Sequence, residues 1–137
     1  MIIADTGAIL ALIDADDRHH LAFRSLFVNG GARWLLPWAI LPEVDYLLGE
    51  HVGRRAQQGF FADVASGAFE VDWGEPADLR RARELDGRYE KLRLGLVDAV
   101  VIATAERLKA RSIATTDLRH FGAVAIRGKP ALLPRDR

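Results

Sequence analysis

Apolar residues along this chain fall into short unbroken runs separated by helical repeats, and the two alternate from end to end. Residues 1–4 form an apolar run of the length of a buried strand, and Asp5-Thr6-Gly7 leads into a helix over residues 8–13. Leu21, Phe23, Leu26 and Phe27 predict a second helix that stops at Asn29-Gly30-Gly31. Residues 34–38 read as a strand interrupted by Pro37, and Pro42 opens a helix through Leu48. Phe60, Phe61 and Val64 give residues 54–65 a partial helical stripe, and residues 69–73 alternate as a strand does. Glu75-Pro76 begins a helix to about Leu92 whose charges of both signs suggest a solvated face. A helix over residues 98–110, a strand over 112–117, the turn LRHF and an apolar run over 123–126 follow, and the tail from about residue 128 reads as loose. Strands and helices in this order predict an α/β fold, a mainly parallel β-sheet flanked by α-helices on both faces.

Residues 96–121, LVDAVVIATAERLKARSIATTDLRHF, are the stretch that points to chemistry. A helix from Asp98 to Ala110 rises roughly 18 Å, and an extended return over residues 112–117 covers roughly 17 Å. Asp98 and Asp117 therefore finish at one level. Residues 97–103 are apolar on every face apart from Asp98, so an ionised side chain there is costly unless something compensates it.

Asp5 and Asp117 end strands on the edge where open parallel sheets bind ligands, and Glu43 and Asp98 begin helices on that side. Each acid alone has a plainer use as a helix cap or a first-turn residue. Capping does not explain an Asp inside an apolar helical segment, nor why four acids map to one edge. Four converging carboxylates repel one another, and raised pKa values or a bound cation must relieve them. Oxygen ligands favour a hard ion, Mg²⁺ or, as the alternative, Mn²⁺.

The remaining composition narrows the setting. A chain of 137 residues fits one domain with a core of its own. With 19 basic and 19 acidic residues, attraction to nucleic acid must come from a local basic face. The absence of Cys excludes disulfides and thiolate metal sites. The apolar N-terminus lacks a basic leader and is interrupted by Asp5, and no uncharged run is long enough to span a membrane. These features predict a cytoplasmic protein with no membrane partner.

Asp5-Thr6-Gly7, Leu41-Pro42-Glu43-Val44, Leu94-Gly95-Leu96-Val97-Asp98-Ala99 and Thr115-Thr116-Asp117-Leu118-Arg119-His120-Phe121 resemble the motif series of PIN-domain ribonucleases, above all the VapC toxin branch of type II toxin-antitoxin systems. The resemblance spans residue 1 to about 126 and lies in the order and spacing of the acids. It implies a single PIN domain, a three-layer α/β/α fold, metal-dependent hydrolysis of RNA, a cognate VapB-like antitoxin and a homodimer. Asp5, Glu43, Asp98 and Asp117 match the family's acidic quartet, and Thr115 its supporting Thr. The mechanism so implied has Mg²⁺ on Asp5 and Asp98, Asp117 completing this site or a second one, and Glu43 positioning a water that attacks phosphorus. Some relatives carry a further acid just beyond the last Asp, where this chain has Leu118, Arg119 and His120.

Other residues have simpler readings. His19 and His20 point to different helix faces, His51 and His120 lack partners at ligand spacing, and Arg119 reads as a surface residue. Trp34, Trp38, Phe60 and Phe61 read as core or interface rather than base-stacking platforms. A phosphoacceptor signalling domain lacks its acceptor Asp, since Asp72 lies inside a strand, and a haloacid-dehalogenase-type phosphatase needs a second Asp where Gly7 stands. A catalytically inactive PIN-fold binding module is the remaining alternative.

Overall fold

The computed structural model describes all 137 residues. Five parallel strands, β1 (Ile2–Ala4), β2 (Trp34–Pro37), β3 (Val71–Asp72), β4 (Ser112–Ala114) and β5 (Ala131–Leu133), lie in the order β3-β2-β1-β4-β5. Ile3 stands opposite Leu35 on one side and Ile113 on the other. Ile2, Ile3, Ala4, Ile113 and Ala114 are all buried. A parallel strand covered on both faces has no solvent side to alternate toward, hence the unbroken apolar runs.

Helices α1 (Thr6–Ile13) and α2 (His20–Asn29) connect β1 to β2, and α3 (Leu41–His51) and α4 (Arg54–Ser66) connect β2 to β3. Helices α5 (Pro76–Arg88) and α6 (Gly95–Arg107) carry the chain back across the sheet to β4, and the short α7 (Leu118–Phe121) leads toward β5. Right-handed crossovers put α1 to α4 on one face and α5 to α7 on the other, because the direction of travel reverses at β3. The expected three-layer α/β/α sandwich is the observed one. In α6 every residue from Ala99 to Ala105 is buried, and Thr104 satisfies its hydroxyl on the Val100 carbonyl at 2.8 Å.

Several boundaries differ from the sequence reading for identifiable reasons. The charged helix stops at Arg88, and a 3-10 turn at Glu90–Leu92 followed by Arg93 at φ 51° and Gly95 at φ 74° reverses the chain into α6. Helix α6 thus starts at Gly95, with Asp98 in its first turn. The charges on α5 are not all solvated either. Asp78 is buried in a capping box with Glu75, and Arg107 of α6 donates to it at 2.9 Å while also pairing with Asp72. Arg81 holds Glu106 at 2.7 Å, so ion pairs fasten α5 across α6. The tail expected to be loose contains β5. Its Leu132 is buried, and the Thr115 N–H donates to the Leu133 carbonyl at 3.0 Å. Three apolar residues among polar neighbours carry too little periodicity to declare a strand, but they cover an edge of β4 that would otherwise be unpaired.

Candidate metal centre

The chain leaving β1 goes toward β2, and the chain leaving β4 goes toward β5, so the two loops part over opposite faces of the sheet. A crevice opens where they diverge, at the carboxyl ends of the two central strands. Asp5 follows β1 and the Thr115-Thr116-Asp117 turn follows β4.

Asp5 is only 4% exposed and both its oxygens are engaged. Oδ1 accepts from the Thr6 N–H at 2.8 Å, capping α1, and Oδ2 accepts from the Thr115 hydroxyl at 2.9 Å. The Asp5 N–H donates to the Ala114 carbonyl at 2.9 Å, pinning the two strand ends together. Burial pushes its carboxyl from 3.8 up to about 7, with the nearby charge of Asp98 adding to the rise and the Thr115 and Thr6 hydrogen bonds opposing it. Thr115 is itself buried, and its oxygen accepts from the Asp117 N–H at 2.9 Å. That bond ends β4 at Ala114 instead of letting the strand run on to Asp117. Gly7 completes the junction: a Cβ there would collide with the Thr116 hydroxyl, which would have to move to admit it.

Asp98 reaches the crevice from α6, and the group that compensates it is His120. The imidazole Nδ1 is hydrogen-bonded to Asp98 Oδ2 and lies 3.3 Å from Asp117 Oδ2. Asp117 caps α7 through Oδ1, which accepts from the His120 N–H at 3.0 Å. Burial raises the pKa of Asp98, the His120 contact opposes that rise, and the charges of Asp117 and Glu43 reinforce it. His120 is held above its ordinary value, first by its bond to Asp98. One ligand atom each from Asp98, Asp117 and His120 lie within 4.8 Å of one another.

Of the four acids singled out in the sequence, Asp98 and Asp117 come together directly. Asp5 sits within electrostatic reach of both, and Glu43, half-buried in the first turn of α3, reaches Asp98 through its charge. Capping and clustering coincide at Asp117, which spends Oδ1 on the start of α7 and turns Oδ2 to His120, whereas Asp5 spends Oδ1 on α1 and Oδ2 on Thr115. His120 is the site residue that sequence reasoning passed over, because its partner Asp98 lies 22 residues away on another element. The available signal was its place three residues after Asp117 in a turn, where i and i+3 side chains meet.

The family model for the PIN domain matches residues 2–126. The chain belongs to the PIN-domain family. Over 123 residues it is 31% identical to Ribonuclease VapC26 of Mycobacterium tuberculosis, covering 90% of this chain and 91% of that protein. That relation puts this PIN domain in the VapC branch. Among solved structures, M. tuberculosis VapC20, a sarcin-ricin loop cleaving toxin, superposes with a TM-score of 0.75 at 23% identity, over 82% of this chain and 87% of that one. VapBC2 from Rickettsia felis, solved bound to a DNA fragment from its promoter, gives 0.70 at 16% identity over 96% and 97% of the two chains. At those identities the likeness is one of fold. The donor set of this PIN domain fits a divalent cation: two carboxylates and an imidazole meet at one point, next to a buried third acid whose ionisation their charge opposes. No helix is long and apolar enough to cross a membrane.

Proposed function

We propose that this PIN domain is a Mg²⁺-dependent endoribonuclease and the toxin of a type II, VapBC-like toxin-antitoxin system. The observation that carries the reading is the convergence of Asp98 and Asp117 at the crevice, with Asp5 buried behind them in a carboxylate environment that opposes its own ionisation. Asp5, Asp98 and Asp117 are the residues that would hold the ion, which when bound would acidify water and offset negative charge on the scissile phosphate. Thr115 fixes the orientation of Asp5 by donating to its Oδ2 while Oδ1 caps α1. Glu43, on the side of Asp98, orients the attacking water and takes its proton as the water oxygen bonds to phosphorus; the bond to the ribose oxygen breaks, and that oxygen leaves as a hydroxyl with a proton taken from solvent water. The partner is a VapB-like antitoxin. Phe61 and Trp73, 71% and 72% exposed, border an apolar groove of about 540 Å³ with Val64 and with Leu41 and Pro42, which directly precede Glu43 in α3, and this is the surface offered to it.

The test is a melt of metal-stripped protein with and without millimolar Mg²⁺ or Mn²⁺, for wild type and Asp98→Asn, followed by cleavage of RNA. An ion at one hundred times its dissociation constant stabilises by about 2.7 kcal/mol. A rise in wild type that vanishes in the variant, together with metal-dependent cleavage, is the expected result. A second reading, an inactive PIN-fold binding module, draws on His120, whose ring is already hydrogen-bonded to Asp98. It requires neither thermal shift nor cleavage.

A further inference from the structure

We infer that His120 is a direct ligand of the metal centre, sharing one ion with Asp98 and Asp117 through Nδ1, and that this nitrogen makes the centre prefer Mn²⁺ and Co²⁺ over Mg²⁺. The inference rests on the metal-centre reading above and deepens it by adding a nitrogen ligand, which sets the order of affinity among the ions the centre takes, Mg²⁺ included. Nδ1 faces Asp98 Oδ2 and lies 3.3 Å from Asp117 Oδ2. Adjacent ligands on an ion held at about 2.1 Å stand about 3 Å apart, so the separation of Nδ1 from Asp117 is that of neighbouring positions around one centre, while an ion entering there would replace the proton of the Nδ1–Asp98 hydrogen bond. The three ligand atoms come from two elements, α6 and the α7 turn with its cap Asp117.

The ring is also oriented as a ligand would be. Its backbone N–H is tied to Asp117 Oδ1 at 3.0 Å, and the backbone carbonyl of Leu92, in the turn before α6, is a further acceptor beside it. In the metal-free state Nδ1 carries the proton shared with Asp98; an ion taking Nδ1 would leave the ring proton on Nε2. A metal-bound histidine has this arrangement, one nitrogen on the ion and the other donating to a fixed acceptor that sets tautomer and ring plane. Imidazole suits first-row transition ions, whereas Mg²⁺ takes oxygen and keeps its waters. A carboxylate at this place would leave an all-oxygen centre; His120 makes it mixed.

The opposite role, an imidazolium standing where the ion would otherwise bind, has the opposite sign under mutation. Titration calorimetry of metal-stripped wild type, His120→Ala, His120→Gln and Asp98→Asn with Mg²⁺, Mn²⁺ and Co²⁺ separates them. Wild type should bind Mn²⁺ and Co²⁺ at least about tenfold tighter than Mg²⁺. Both His120 variants should lose about 10–100-fold toward the transition ions while Mg²⁺ changes by less than about threefold. Spin-echo spectra of the Mn²⁺ wild type should carry the ¹⁴N modulation of a bound imidazole, a readout that needs no variant. Unchanged or tighter Mn²⁺ binding in the His120 variants, equal losses for all three ions, or absence of the ¹⁴N signal would overturn the inference and leave the carboxylate centre standing. Ion binding by Asp98→Asn equal to wild type, or none by wild type, would overturn the centre itself.

Discussion

Replacing Asp5 by Asn should make the metal-free protein more stable at neutral pH and not at acid pH. The folded state raises this carboxyl from 3.8 to about 7, mainly by burying it. A group whose folded pKa lies above its unfolded one contributes stability that is complete below the unfolded value and is lost as pH rises through the folded one. For Asp5 the loss runs from about pH 4 to about pH 7 and amounts to about 4 kcal/mol. Asparagine has no charge to desolvate and keeps the Oδ1 that caps Thr6. Its amide cannot accept from the Thr115 hydroxyl as Asp5 Oδ2 does, which costs about 1 kcal/mol at every pH. The variant should therefore be about 1 kcal/mol less stable than wild type below pH 4 and about 3 kcal/mol more stable above pH 7. For a chain of this length each kcal/mol moves Tm by about 3 °C, so the melting curves should cross near pH 4.5 and separate by about 10 °C at pH 8. The assay is thermal melting of both proteins in chelator between pH 4 and 8. A Tm difference that does not change with pH, or a variant less stable at pH 8, would refute the account of Asp5 as a buried carboxylate strained by its ionisation.

Two further variants test the frame around the site. Gly7→Ala drives a methyl group into the Thr116 hydroxyl and should cost about 1–3 kcal/mol, while Gly7→Ala with Thr116→Ala should recover most of it, a coupling that denaturant unfolding of the four-member cycle reads directly. Equal costs in both backgrounds would mean that the junction is not set by that contact. Arg107→Met leaves Asp78 buried without its guanidinium and should cost about 3 kcal/mol by urea unfolding, with Asp78→Asn in the same background restoring part of it. A change below about 0.5 kcal/mol would mean that Arg107 acts as an ordinary surface cation.

The helices and central strands were legible because burial on two faces and the 3.6-residue repeat leave marks in local sequence: residues 1–4, the Pro42 helix start and the apolar segment around Asp98 all appear where the pattern puts them. Elements whose stability comes from elsewhere were not legible. Strand β5 exists because β4 offers it an edge, and the end of β4 is decided by a hydroxyl that intercepts the Asp117 amide. The inward charges of α5 look in sequence like the outward ones, because only the partner on α6 tells Asp78 and Arg81 from their neighbours.

For the site, the sequence by itself determined which acids are available and that Asp98, alone in an apolar helical segment, needs a compensating charge. Chain order around a parallel sheet was enough to send those acids to one edge. Only the tertiary structure decided what meets them there. Asp98 and His120 are 22 residues apart and belong to different elements, and their contact follows from how α6 and the α7 turn pack across β4, a relation that no local periodicity encodes. The burial that raises Asp5 is likewise a property of the closed crevice, since a carboxylate feels desolvation only after the surrounding chain has excluded water.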